Sequence, residues 1–310
     1  MPLLIDECPS LYSLWQRCVN PQAGAAPPTD DAHHAELKAL YQRGISLEDA
    51  LQFLFEQRPT QADFSGWIAS RSRLPVIGRE TPADTLSDEE LRFWRQNGYL
   101  VLRGAVPREQ CMAAQDAIWG YLGASSSERA SWYQPHPGKR GMMLQFSDHP
   151  ALQANRHGAR IRRAYEQLYG SSAIFASIDK VSFNPPVVDG HGFLGSALHW
   201  DVSLQPPIPF KLQGLLYLSD CAARHGAFHC VPGFHHRHEA WLAQVPPGQN
   251  PRELASQTLQ PVPIEGQAGD FIIWHQALPH CATANFGDAP RMVQYLTYLP
   301  EQCVDQPDWY

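Results

Sequence analysis

Two hydrophobic rhythms divide the chain. Up to about residue 80 the apolar residues recur at helical steps, whereas beyond Ala173 they gather in short runs and alternations broken by Gly and Pro. The first is the period of amphipathic helices and the second that of β-strands. Ala32 to Arg43 predicts a helix stopped by Gly44, and Ser46-Leu-Glu-Asp49 resembles a capping box opening a helix through Gln57. Residues 71–84, rich in Pro and Gly, read as a linker. A second capping box, Ser87-Asp-Glu-Glu90, starts a helix that ends at Gly98; Tyr99–Leu102 follows as a strand and Pro107 to Leu122 as a helix with Pro at its start. After a polar loop, Ala159 to Tyr169 predicts one more helix.

Only β-like runs remain: Ala173 to Asn184, Ser196 to Leu204, Lys211 to Ser219, Ala227 to Val231, Leu259 to Ile264, Asp270 to Trp274 and Met292 to Leu299. Seven or eight strands with Gly/Pro turns predict a mainly β fold with flanking helices, a jelly roll or related barrel. The expected division is a helical extension over residues 1–80 and a barrel domain over 85–303.

Composition supports a β-rich fold with long loops, since only 18% of residues are charged while Pro 27 and Gly 22 punctuate the chain; soluble domains average about 25% charged. A net charge of −7 offers no basic field for a phosphate backbone, so nucleic acid is not expected as a partner. Seven scattered cysteines without a C-x-x-C pair fit reduced thiols. No leader-like N-terminus and no run of eighteen apolar residues occurs, so the expectation is a cytoplasmic protein without a membrane partner.

The candidate chemistry lies in His199-Trp-Asp201, then His280, then Arg291. Two imidazoles and one carboxylate make the facial set of non-haem Fe(II) oxygenases, with three coordination positions left open. If Ser196–Leu204 is a strand, His199 and Asp201 point to one face and reach one metal together. Gly269–His280 delivers a third ligand from a distant part of the chain, with His275 as the rival to His280. Arg291 carries a planar fork suited to a carboxylate. Other strings are less specific. His225, His229, His235, His236 and His238 lack cysteine support at zinc spacing and read as loop residues. Gly190-His-Gly-Phe-Leu-Gly195 matches a dinucleotide fingerprint in letters only, because a Pro-Pro turn precedes it and no helix follows; it reads as a loop at the barrel mouth. Trp132, Tyr133, His136, Lys139, Arg140, Met142 and Gln145 lie on a long polar loop and are either pocket or surface.

From Leu86 to Pro300 the chain resembles the phytanoyl-CoA dioxygenase family of Fe(II)- and 2-oxoglutarate-dependent oxygenases. The marks run in order: the opening Asp88–Leu102, His199-x-Asp201, Leu218-Ser-Asp220, Gly226-Ala-Phe228, Val231-Pro-Gly-Phe-His235, Gly269-Asp270, His280 and Arg291 eleven residues on. The resemblance implies a double-stranded β-helix, iron on His199, Asp201 and His280 in preference to His275, and 2-oxoglutarate held by Arg291. It implies further co-substrate contacts near Lys180 and Gln213. Many members carry Ser two residues after the distal His, near the 2-oxoglutarate; here Ala282 stands there, and Thr283, which follows, is the candidate for that co-substrate contact.

The expected activity is hydroxylation of an unactivated C–H of a small molecule in specialised metabolism, with O2 consumed and succinate and CO2 released. Desaturation, cyclisation or epimerisation would use the same residues, and a silent binding module on the same barrel is the alternative of another class. Halogenation is disfavoured because Asp201 is present. Residues 1–80 are expected to serve homo-oligomer contacts or a lid without supplying a metal ligand.

Overall fold

The structure, a computed structural model, describes Ile5 and residues 8–20, 28–72 and 86–302. The linker expected over 71–84 lies almost wholly outside these residues. Four helices come first: α1 (Pro9–Val19), α2 (Asp30–Tyr41), α3 (Leu47–Gln57) and α4 (Gln61–Arg71). Ser46 Oγ accepts from the Asp49 N–H to start α3, and Thr60 with Asp63 forms a complete capping box for α4, each satisfying N–H groups that a helix leaves open. These helices share a core of their own around Leu14, Leu40, Leu54 and Phe64, all fully buried.

After α5 (Asp88–Asn97), β1 (Tyr99–Leu102) and α6 (Arg108–Leu122) come two short strands in the polar loop, β2 (Lys139–Arg140) and β3 (Met143–Leu144). Then follow α7 (Pro150–Arg156), α8 (Ala159–Tyr169), β4 (Ile174–Ala176), β5 (Val181–Asn184), β6 (Leu212–Tyr217) and β7 (Phe228–Cys230). The chain continues through α9 (His238–Leu242), α10 (Pro251–Thr258), β8 (Val262–Ile264), β9 (Phe271–His275), β10 (His280–Ala282), β11 (Arg291–Tyr295) and β12 (Tyr298–Pro300). An antiparallel seven-stranded sheet runs β1-β9-β6-β11-β5-β3-β2, a three-stranded sheet β10-β7-β8, and β12 pairs with β4.

Register sorts the large sheet into two faces. Leu212, Leu216, Phe271, Ile273 and Met292 pack outward in one core with α6, α7 and α8. Leu215, Tyr217, Ile272, Trp274 and Val293 point the other way, into a core shared with Phe228, Cys230 and Ile264 of the small sheet. Two facing antiparallel sheets with helices outside make the jelly-roll core that the alternation predicts.

The structure corrects two strand expectations. Ser196–Leu204 is not a ladder strand: it bends at Leu198, Asp201 and Val202 and meets β10 through the isolated bridge His199↔His280, next to Gly195↔Thr283, while side chains of α10 occupy its other edge. The runs Ala173–Asn184 and Met292–Leu299 each split, because β4 and β12 leave the large sheet to pair with each other.

Candidate metal centre and carboxylate pocket

His280 opens β10 and pairs with His199 across the isolated bridge. Its N–H donates to the His199 carbonyl at 2.9 Å, and the His199 N–H returns the bond at 3.0 Å. Directly opposed residues of an antiparallel pair share a face, and the two ring centroids are 4.6 Å apart. Asp201, two positions on at a bend of the segment, brings its carboxylate to the same two rings. Its Oδ2 lies 3.1 Å from His280 Nε2 and its Oδ1 3.7 Å from His199 Nε2. The three ligand atoms fall within 4.8 Å of one another, and no other group of three or more His, Cys, Asp or Glu among the described residues does so. The cluster opens on one side, with the His280 side chain 8% exposed against 52% for Asp201.

Both rings are oriented from behind. His199 Nδ1 sits 2.8 Å from the Ala197 carbonyl and His280 Nδ1 3.2 Å from that of Leu278. A carbonyl only accepts, so each Nδ1 carries the proton and each Nε2 presents its lone pair to the site. His280 Nε2 then faces a carboxylate oxygen, which is repulsive unless the ring becomes an imidazolium or a cation lies among the three. Gln213, from β6, donates Nε2–H to Asp201 Oδ2 at 2.8 Å and holds the carboxylate. Burial alone would raise the Asp201 pKa; the hydrogen bond and charge that His280 supplies in its protonated form, with Gln213 and His199, outweigh it and hold the group below the usual carboxylate range. Burial and the charge of His280 push His199 down. These are the properties of a ready anionic ligand and a neutral imidazole ligand.

Arg291 opens β11 opposite Asn184 of β5 and is 1% exposed. Register places it on the same inner face as Val293 and Tyr295, and hence as Gln213, Leu215 and Tyr217 of β6. Its guanidinium lies 5.8 Å from the Tyr217 ring centre and 3.9 Å from Met142 Sδ, while Nε is buried without a partner among the described residues. Tyr295, Tyr217 and Cys221 are its polar neighbours, and no Asp or Glu among the described residues pairs with it. At this end Asn184 Nδ2 donates to the Thr283 carbonyl at 3.4 Å. Gly226 makes room for them: a Cβ there would lie 2.7 Å from Asn184 Nδ2, and its φ of +76° already favours glycine. Thr283 is thereby carried to the Arg291 end.

Other expected residues go elsewhere. Lys180, read as a co-substrate contact, forms a 2.7 Å ion pair with Glu48 of α3. Its backbone lies opposite Tyr295, so the alternation aims it inward, but its long stem carries the ammonium to the helical unit, where Gln145 also reaches Glu48 at 2.7 Å. Gln213 contacts Asp201 itself, which makes it a partner of the carboxylate. Trp132 is a core residue at 5% exposure, Tyr133 bonds the Pro186 carbonyl, and Lys139 lies over the Phe183 ring. His275 turns away from the cluster: Nδ1 accepts from the Ala277 N–H, the ring stacks 5.4 Å from His235, and burial with the charge of neighbouring histidines pushes its pKa down to about 4. His235 and His236 both direct Nε2 at the Arg95 carbonyl. Val188 and His191 bridge across the glycine loop, where Gly190, Gly192 and Gly195 all have positive φ. Sequence reasoning missed Arg252, which donates to the Trp200 and Val202 carbonyls at 2.9 and 2.8 Å; an Arg just after a capping Asn carries no pattern that would reveal this.

The profile of the phytanoyl-CoA dioxygenase (PhyH) family matches residues 94–293, which span both sheets and every residue of the cluster. The chain belongs to the phytanoyl-CoA dioxygenase family. It is therefore an oxygenase of the Fe(II)- and 2-oxoglutarate-dependent class. Among curated relatives of this family member, the 2-aminoethylphosphonate dioxygenase of an uncultured bacterium (HF130_AEPn_1) is 24% identical over 230 residues, covering 68% of the chain and 81% of the relative. The ectoine dioxygenase of Bordetella bronchiseptica is 20% identical over 276 residues, covering 81% and 87%. Among solved structures, the α-ketoglutarate-dependent carbocyclase SnoK of nogalamycin biosynthesis superposes with a TM-score of 0.53 at 22% identity, covering 74% of the chain and 90% of its own. The epimerase SnoN of the same biosynthesis gives 0.52 at 19% identity, covering 71% and 85%. These likenesses establish the shared fold. No helix among the described residues is long and apolar enough to cross a membrane.

Proposed function

We propose that this oxygenase hydroxylates an unactivated C–H of a small molecule, with iron held by His199, Asp201 and His280 and 2-oxoglutarate clamped by Arg291. The observation that carries the reading is the Arg291 guanidinium, wholly buried, facing the interior between the sheets and without a carboxylate partner among the described residues. A buried charge with no counterion costs several kcal/mol, and a planar carboxylate is the ligand whose two oxygens match the fork. The cluster supplies the second half. Its two aimed lone pairs and one carboxylate fit a divalent cation, and three ligands leave room for a chelating 2-oxo acid and dioxygen.

When bound, iron and 2-oxoglutarate supply oxidative decarboxylation, giving succinate and CO2 and the oxidising power for the C–H bond. The chain's own part is placement. Ala197 and Leu278 fix the two imidazoles through Nδ1–H, Gln213 fixes the carboxylate, and Arg291, with Thr283 beside Asn184, receives the far end of the 2-oxo acid. Gln213 Oε1 and the Trp274 indole N–H, opposed in register beside the cluster and both buried without partners among the described residues, remain for groups of the bound molecules. Helices α1–α4, with their separate core, form a unit distinct from the barrel domain, and the six free cysteines among the described residues suit a reducing cytoplasm.

Anaerobic titration of Fe(II) and 2-oxoglutarate into the protein should produce a visible metal-to-ligand charge-transfer band, absent in Asp201→Ala. Screening small molecules for iron-dependent succinate release, followed by mass spectrometry under labelled dioxygen, then separates the outcomes. One labelled oxygen in the product supports hydroxylation; a product two hydrogens lighter or an inverted centre without label assigns desaturation, cyclisation or epimerisation. Failure of band and succinate together would overturn the reading.

A further inference from the structure

The segment that bears His199 and Asp201 has two edges, and strand pairing serves only one of them. The N–H and C=O of His199 face β10. The carbonyls of Leu198, Trp200 and Val202 turn to the opposite edge, where α10 lies. All three are bonded by side chains of α10. Arg252 Nη1 donates to Trp200 at 2.9 Å, Arg252 Nη2 to Val202 at 2.8 Å, and Ser256 Oγ to Leu198 at 3.3 Å. Arg252 and Ser256 stand four apart on one helix face, and α10 is anchored at its start by Asn250 Oδ1, which accepts the Arg252 N–H. A helix face thus takes the place of a neighbouring strand, and the two carbonyls that Arg252 grips flank Asp201.

We propose that Arg252 is a positioning residue for the metal centre: its fork fixes the backbone on both sides of Asp201, so that the carboxylate is held ready for iron without a β-ladder. The inference rests on the proposed iron site. It extends that site to a helix that contributes no ligand. The guanidinium is required for its shape, because two carbonyls spaced along one strand edge need two diverging donors on a rigid plane; an ammonium on a flexible stem reaches one at a time. The opposite edge keeps its bridge to His280 in either case, so loss of Arg252 should loosen Asp201 more than it disturbs the fold. The lost positioning falls in the range of partners that orient metal ligands, where removal costs about 10–100-fold in metal affinity.

The test uses the full chain and Co(II) as the probe, followed by its visible absorption, with 2-oxoglutarate binding to the Co(II)-loaded protein measured in parallel. Arg252→Ala and Arg252→Lys should each weaken Co(II) binding by about 10–100-fold, with Lys recovering little. Both should leave far-UV circular dichroism and the dissociation constant for 2-oxoglutarate within about twofold of the parent, because Arg291 is untouched. Guanidinium ion at low millimolar concentration should restore part of the Co(II) affinity of Arg252→Ala and none of that of an Asp201→Ala control. Equal Co(II) affinity in the parent, Arg252→Ala and Arg252→Lys would overturn the positioning role while leaving the iron site standing. Should Arg252→Ala fail to fold, Arg252→Lys decides alone. A parent protein that binds no Co(II) would overturn the iron site and this inference together.

Discussion

His199 and His280 bind each other through their main chains before either offers a ring nitrogen. The reciprocal bonds of 2.9 and 3.0 Å set the distance between two imidazoles that come from segments eighty-one residues apart in sequence. The ring of each is then turned by the carbonyl two residues before it, Ala197 for one and Leu278 for the other. The spacing of the two imidazoles is thereby a property of the backbone, while the third ligand, Asp201, is held by the Gln213 side chain.

His280→Ala should lose Fe(II) binding and His275→Ala should keep it. His275 has its Nδ1 engaged by the Ala277 N–H and its ring against His235 and Phe210, outside the cluster. Equilibrium dialysis with iron quantified by atomic absorption reads the difference directly, and the reverse result would force the ligand set and the role of Arg291 to be reassigned together.

Arg291 should govern 2-oxoglutarate affinity while leaving iron affinity nearly unchanged. Truncating one partner of a desolvated, bidentate charge pair costs on the order of 2–5 kcal/mol. Arg291→Ala is therefore expected to raise the 2-oxoglutarate dissociation constant by a factor of roughly 30 to several thousand. Arg291→Lys should restore only part, since an ammonium lacks the fork. Unaltered 2-oxoglutarate binding in Arg291→Ala would remove the clamp.

Gln213→Leu should weaken iron retention by about 10–100-fold, the usual cost of losing a partner that orients a metal ligand. The side chain donates to the same Asp201 oxygen that faces His280, and leucine keeps the bulk while deleting the donor. If Gln213 contacts the co-substrate and not the carboxylate, the variant will shift the 2-oxoglutarate constant and spare iron, which competition dialysis distinguishes.

Arg17 and Glu36 join α1 to α2 by two bonds of 2.5 and 2.8 Å, with the Glu36 side chain fully buried. Burial raises its pKa, but Arg17 and His33 outweigh that and leave it below the ordinary value. A carboxyl whose folded pKa is depressed gives stability that is present above its unfolded pKa of about 4.3 and is lost as pH falls through the lower folded value. Urea unfolding should therefore show Arg17→Met as strongly destabilising at pH 7 and the gap to the parent as shrinking below about pH 4. A gap independent of pH would mean that the pair contributes packing alone.

Elements that one local rule decides are legible in the sequence. Ser87 and Glu90 cap α5 reciprocally, Gly98 ends it with a φ of +73°, and the alternation of His199 and Asp201 puts both on one face although the segment forms no ladder. Where the deciding partner is remote in sequence, a local pattern is silent. Lys180 is aimed inward by strand alternation, and a long flexible stem takes its charge to Glu48 on a helix 132 residues earlier. The strand expected at Ser196–Leu204 has the right side-chain rhythm, but hydrophobic period reports which face is buried and says nothing of what bonds the edges. That information sits in Arg252 and Ser256, two polar residues whose neighbours in sequence give no hint of their targets.

The solitary guanidinium of Arg291 has a further consequence, for the amount of protein a cell keeps folded. On the proposed reading, the folded chain without co-substrate carries an uncompensated interior charge that the unfolded chain does not, and a metabolite relieves it. A ligand that binds only the native state adds RT ln(1 + [L]/Kd), about 2.7 kcal/mol at a hundredfold excess over Kd, a sizeable share of the stability of an ordinary domain. Supply of 2-oxoglutarate would then set how long the enzyme survives between syntheses as well as how fast it turns over. On that reading, the supply of the metabolite and the lifetime of the folded chain would be joined through one side chain.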